Sequence, residues 1–224
     1  VATAQSAPTS CNLQAWSVVA VQDAARRARL AKLAGDQEFI TQAPLFLVWI
    51  ADLSRLEQVG RAQGRELPGL DCLDTFMASV MDATLAAQNA AAAFESYGLG
   101  TVYVGAVRNH PEAFATELGL PPRAVAISGM SVGYPDRKHP TGIRPRLPQS
   151  TVLHTERYDP AAANDPATIA AYDQRLHAAR VSQGLPARDW TASVLARMGD
   201  VAALHGREHL PRSLRSLGFV LGQE

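Results

Sequence analysis

Four short stretches of this 224-residue chain hold residue types and spacings that could do chemistry. Gly129-Met130-Ser131-Val132-Gly133 spells the G-x-S-x-G of a serine nucleophile. A nucleophile elbow needs a strand, a tight turn at the serine and then a helix. Ser131 instead sits inside an apolar, strand-like run, and Tyr134-Pro135 follows at once, so no helix can start there. Small residues in a packed strand account for the pattern. His205-Gly206-Arg207-Glu208-His209 matches H-x-x-E-H, in which one helical face would present two histidines to zinc. Gly206 weakens such a helix, Pro211 follows directly, and the chain ends at Glu224, too soon for a distant third ligand. A solvated polar turn is the better reading, and no metal site is expected.

The other two stretches concern anions and flat ligands. Gly98-Leu99-Gly100-Thr101-Val102-Tyr103-Val104-Gly105 has the glycines of a dinucleotide-binding loop in the wrong order. Such a loop follows a strand and opens a helix; this one follows a helix and opens a strand. It reads as a helix stop and a close approach, at which a flat ligand can lie on bare backbone. In Arg144-Pro145-Arg146 two guanidiniums flank a proline that stiffens the chain. Alternation would turn both to one side, and arginine suits bidentate contact with phosphate. The motif alone leaves open an anion site or two solvated loop arginines.

The elements that must position these groups are legible in outline. Residues 1–6 read as a helix end and 6–12 as a loop. The runs 16–23 and 43–52 read as strands, with the helix 23–35 between them, closed by Gly35. Residues 71–97 form the clearest helix, apolar nearly all round and so buried on most sides. A strand over 98–107, a short helix over 109–122 and an apolar strand over 123–135 follow. Residues 150–159 read as extended. Asp165-Pro166 is a cap with proline at the first helical position, and further helical pieces occupy 167–183, 189–204 and 211–219.

Bulk properties exclude several classes. Lys+Arg and Asp+Glu are 21 each, so neither nucleic acid nor an anionic membrane is implied as a partner. The two cysteines, Cys11 and Cys72, make no disulfide framework, and a cytoplasmic location is expected. The longest apolar run, 43–51, is far short of a membrane span.

Together the pieces resemble the FMN-dependent nitroreductase / flavin reductase family, in its larger NADPH-dependent, oxygen-insensitive branch. The resemblance runs through SAPTSCNLQAWS, AGDQEFITQAP, AAQNAAAAFESYGLGTVYVGAVRN, SVGYPDRKHPTGIRPRLP and GREHLPRSLRSLGF, covering almost the whole chain. It implies an α+β fold: a mixed β-sheet flanked by helices on both faces, an intertwined homodimer, and FMN at the subunit interface. Residues 1–224 would form one FMN-binding domain, with 163–224 a helical C-terminal extension. The resemblance puts Thr9, Ser10 and Cys11 near the flavin ribityl or phosphate, and Gln37 at the polar edge of the ring. The backbone of Tyr103, Val104, Gly105 and Ala106 would line the ring near N5, and Arg144 and Arg146 would reach the phosphate or the N1–O2 edge. No side chain is catalytic in that scheme, since the flavin carries the hydride. The implied activity is an NAD(P)H oxidoreductase of ping-pong type acting on nitroaromatics, quinones or free flavin; the alternative is a non-catalytic flavin-binding or interaction protein on the same scaffold. Two departures stand out. The Arg-Ser-x-Arg segment that opens the family is missing ahead of Val1, so either a segment lies upstream or FMN binding is compromised. The arginine expected to meet the NADPH 2′-phosphate aligns near Gln183, with Arg188 close enough to substitute.

Overall fold

Long apolar runs become the central strands, and the helices between them cover the two faces. The computed structural model describes residues 1–136 and 142–222. The chain divides into two units, one formed by Val1–Pro135 with the chain from Gly206 onward, the other by Asp136–His205.

The first unit runs in order α1 (Ala2–Gln5), a 3-10 turn (Ser10–Asn12), β1 (Trp16–Val21), α2 (Ala24–Leu33), α3 (Glu38–Gln42), β2 (Leu45–Asp52), α4 (Ser54–Ala62), a 3-10 turn (Pro68–Asp71), α5 (Leu73–Ser96), β3 (Gly100–Val104), a 3-10 turn (Gly105–Arg108), α6 (Pro111–Leu118) and β4 (Ala124–Gly133). The strands form one sheet in the order β1-β2-β4-β3. A mixed sheet was expected; all three pairings among the described strands are antiparallel. The expected α+β architecture with helices on both faces does form. One core packs Ala83, Ala86, Ala87, Ala90 and Ala91 of α5 against Trp49, Met130 and Val132. The other packs Leu30 of α2, Ile40 of α3 and Phe114 of α6 against Phe46, Val48 and Ile50. Alternate residues of the central strand thus serve opposite cores, as the two-residue period of a strand requires. The small side chains of α5 let its backbone lie close on the sheet.

Local chemistry sets the boundaries. The Asp23 carboxyl accepts from Arg26 N and caps α2, a bond worth about 1 kcal/mol. Gly98 takes φ +75° just past α5 and Gly119 takes φ +66° past α6, left-handed stops that glycine tolerates.

The second unit holds α7 (Gln149–Val152), α8 (Pro160–Ala163), α9 (Pro166–Ser182), α10 (Trp190–Met198) and a 3-10 turn (Val201–Leu204). The extended reading of 150–159 is corrected here: its first residues complete α7, which starts directly after Pro148, and the buried Thr151 lies within it. Asp165 caps α9 as expected, accepting from Thr168 N and Oγ1; those bonds lower the carboxyl's pKa below its usual value. Tyr172 of α9 stacks edge-on against Trp190 of α10.

α11 (Leu210–Ser216) completes the first unit. Leu214 and Phe219 enter its core, and Phe219 meets Phe76 of α5 at 5.1 Å between ring centroids. The helical extension is therefore split, its last segment belonging with the sheet. Among the described residues no helix is long and apolar enough to cross a membrane.

Candidate functional site

β3 ends where its neighbour bulges. Trp49 of β2 faces Ser128 and Ile50 faces Ala126, so Ile127 is an extra residue in the ladder. A bulged residue drops out of regular pairing, and its carbonyl needs another donor. The Arg108 guanidinium supplies it through Nη1. This fixes the arginine beside Gly105: a Cβ on Gly105 would lie 3.2 Å from Arg108 Nη2 and 3.8 Å from Arg207 Nη1. Arg207 is held in turn by Asn109, whose Oδ1 accepts from Nε at 2.8 Å. Gly35, with φ +72°, closes the same corner; its Cβ position is 3.9 Å from Asn109 Nδ2 and 4.0 Å from Gln37 Nε2. Gln37 donates to the Gly35 carbonyl at 3.2 Å.

Of the predicted residues, Gln37, Tyr103, Val104, Gly105 and Ala106 therefore gather at one end of β3. Gly105 and Ala106 are half-buried. Val104 turns its side chain into the core. Tyr103 donates to Gln88 of α5 at 3.3 Å. Burial pushes its phenol pKa up, and Glu95 adds to the rise. A cavity of about 520 Å³ opens beside it, lined among others by Phe76, Val80, Gln88, Tyr103, Arg108 and Leu210.

Thr9, Ser10 and Cys11 belong to a different edge. They lie ahead of β1, and β1 and β3 are the two edge strands of the sheet, three spacings of about 4.8 Å apart. Their loop is tied down firmly. Asp82 of α5, 2% exposed, accepts from Ser10 N through Oδ1 and from Ala15 N through Oδ2, at 3.0 and 3.1 Å. Thr9 Oγ1 accepts from Gln14 N at 3.2 Å, and Arg55 Nη1 donates to the Gln14 carbonyl at 2.9 Å. Between these ties Cys11, Asn12 and Gln14 all adopt positive φ, 47°, 57° and 54°. Such backbone costs roughly 1–2 kcal/mol per residue and persists only where the surroundings hold it.

Arg144, Arg146 and Arg188 lie in the second unit. Residues 142–148 run as an irregular strip along α9: Tyr172 donates its hydroxyl to the Pro145 carbonyl at 3.1 Å, and Arg175 Nη2 donates to the Arg146 carbonyl at 3.4 Å. Arg144 and Arg146 themselves are exposed. Arg188 is exposed in the turn between α9 and α10, next to Asp189, which pairs with His177 at 3.0 Å. Part of the loop ahead of the strip, 137–141, lies outside the described residues.

The rejected motifs fall where the sequence put them. Ser131 is inside β4, 3% exposed, and its hydroxyl has no hydrogen-bond partner among the described residues. His205 has φ +56° and Gly206 φ +87°, so the H-x-x-E-H residues do not share a helix. Among the described residues no three His, Cys, Asp or Glu side chains converge as a metal site would require.

A glycine-ended edge strand, two anchored guanidiniums and a polar loop fixed on a buried helix define an α+β scaffold suited to a flat anionic ligand. The model of the nitroreductase family matches residues 1–134, and that of its C-terminal domain matches 144–222. The chain belongs to the nitroreductase family. It is 35% identical over 213 residues to an FMN reductase [NAD(P)H] of Bacillus subtilis, covering 93% of this chain and 84% of that one. It is 34% identical over 177 residues to an oxygen-insensitive NADPH nitroreductase of Salmonella typhimurium, covering 79% and 69%. The solved structure of the NfrA1 nitroreductase from B. subtilis superposes with a TM-score of 0.90 at 32% identity, covering 99% of this chain and 89% of that one.

Proposed function

We propose that the chain is an FMN-dependent NAD(P)H oxidoreductase that reduces nitroaromatics, quinones or free flavin. Its family and its kinship with named FMN and nitro reductases support this. The observation that carries it is the pair of guanidiniums, Arg108 and Arg207, held beside Gly105 by the Ile127 carbonyl and by Asn109. Fixed positive charge in a half-buried corner stabilises negative charge developing there without reorganising. FMN, when bound, supplies reversible hydride acceptance, a chemistry no side chain offers.

The residues present suit that group. The backbone from Tyr103 to Ala106 lines the ring, and Gln37 meets its polar edge. Thr9, Ser10 and Cys11 meet the ribityl chain or phosphate, and Arg144 and Arg146 add charge at the phosphate or the N1–O2 edge. Arg188 meets the 2′-phosphate of NADPH. A second copy of the chain completes the site. α5 carries Leu73, Met77, Met81 and Leu85, four residues apart and 44–53% exposed, an apolar stripe suited to a homodimer. Across that two-fold the Ser10 loop of one copy meets the Gly105 corner of the other.

Donor and acceptor use one open face in turn, beside the cavity at Tyr103. Initial rates at varied NADPH and a quinone should then give parallel double-reciprocal lines. Intersecting lines, the mark of a ternary complex, would sink the single-face scheme.

A further inference from the structure

Among the described residues Asp52 and Asp82 are the buried carboxyls, and the scheme above gives neither a role. Asp82 sits among the alanines of α5, 2% exposed, where a carboxyl is costly unless it is bonded. Both of its oxygens are used, and both go to backbone N–H groups of one loop, at Ser10 and Ala15. Between those two anchors lie Cys11, Asn12 and Gln14, three of the non-glycine residues with positive φ. We infer that Asp82 is a positioning residue: it holds the Thr9–Cys11 loop in the conformation that receives FMN. The inference rests on the reading that this loop contacts FMN.

The chemistry of the anchor is specific. A carboxyl offers acceptors to both N–H groups at once. Asparagine offers one, and sets its own N–H₂ against the other donor. A loop freed at either end relaxes out of its strained backbone, and polar groups that must arrive together at a ligand no longer do. Asp82 thus acts at a distance from the ligand, through Ser10 N.

The test titrates apo-protein with FMN and reads flavin fluorescence, with apo-protein melting recorded alongside. Wild type comes first: if it takes up no FMN, the functional reading fails before any variant is made. Given wild-type binding, Asp82→Asn should raise the FMN Kd at least about tenfold and change the visible circular dichroism of the bound flavin. Ser10→Pro removes the N–H and the hydroxyl and fixes φ at that residue, and Thr9 already has the extended backbone that proline requires before it, φ −130° and ψ 152°. Ser10→Ala measures the hydroxyl alone. Ser10→Pro should bind FMN at least about tenfold more weakly than Ser10→Ala. The double variant Asp82→Asn/Ser10→Pro should lose far less than the product of the two single losses, because each frees the same loop. If Asp82→Asn lowers the melting temperature but binds FMN within twofold of wild type, or if the losses multiply, Asp82 is scaffold only and the inference is overturned. Should Asp82→Asn fail to fold, the proline and alanine variants decide alone: equal FMN affinity overturns the inference.

Discussion

Just past β3, Gly105 presents no side chain. Bare backbone ends the edge strand, and two guanidiniums stand within 4 Å of where a Cβ would be. Neither position was singled out from sequence as part of the site, although Arg108 lies two residues past the predicted 103–106 stretch. Its anchor is the carbonyl of a β-bulge, and a bulge depends on the register between two strands, which no local pattern encodes. Arg207 was read in a zinc motif that was set aside and within the C-terminal segment that resembles the family, but not as a site residue. Asp82 was not singled out either, although a carboxyl amid small residues on a buried helix is a signal that it needs a buried partner. Arg188 carries a prediction at this scale. Arg188→Ala should lower kcat/KM for NADPH about tenfold while leaving NADH nearly unchanged, as loss of one charge-assisted phosphate contact requires. An unchanged ratio of the two donors would remove Arg188 from the nucleotide site.

Among elements, those whose burial pattern is simple were read correctly. The run 45–52 is nearly all buried and became the central strand β2, and the alanine-rich stretch became α5. α4 passed unread because Gly60 interrupts it. That glycine lies against Leu67, whose Cγ is 2.8 Å from a Cβ position there, so tertiary packing rather than propensity sets it. Residues 150–159 were read as extended, yet a four-residue helix at their start asks little of propensity. The small residues of Gly129-x-Ser131-x-Gly133 have a packing cause. A Cβ on Gly129 would fall 2.5 Å from Cζ of Phe46. Gly129→Ala should therefore destabilise the fold by about 1–3 kcal/mol, the usual cost of overpacking. A melting temperature equal to wild type would show that the Phe46 ring can step aside.

For the whole molecule, the candidate residues divide between opposite edges of one sheet and a second unit. A single copy leaves the Ser10 loop and the Gly105 corner about three strand spacings apart, which motivates a site shared between copies. The pair Met77→Glu and Met81→Glu, which puts charge on the exposed stripe of α5, should halve the solution mass measured by light scattering and weaken FMN binding together with it. A variant that stays dimeric would move the interface elsewhere. The central claim is that this family member is a working flavin reductase. The measurement that tests it most directly is the visible spectrum of the purified protein supplied with FMN, before and after NADPH is added without oxygen. The account predicts the two-band spectrum of bound oxidised flavin, bleached by NADPH and restored by a quinone. A protein that takes up no FMN, or binds it and leaves it oxidised under excess NADPH and NADH, would contradict it.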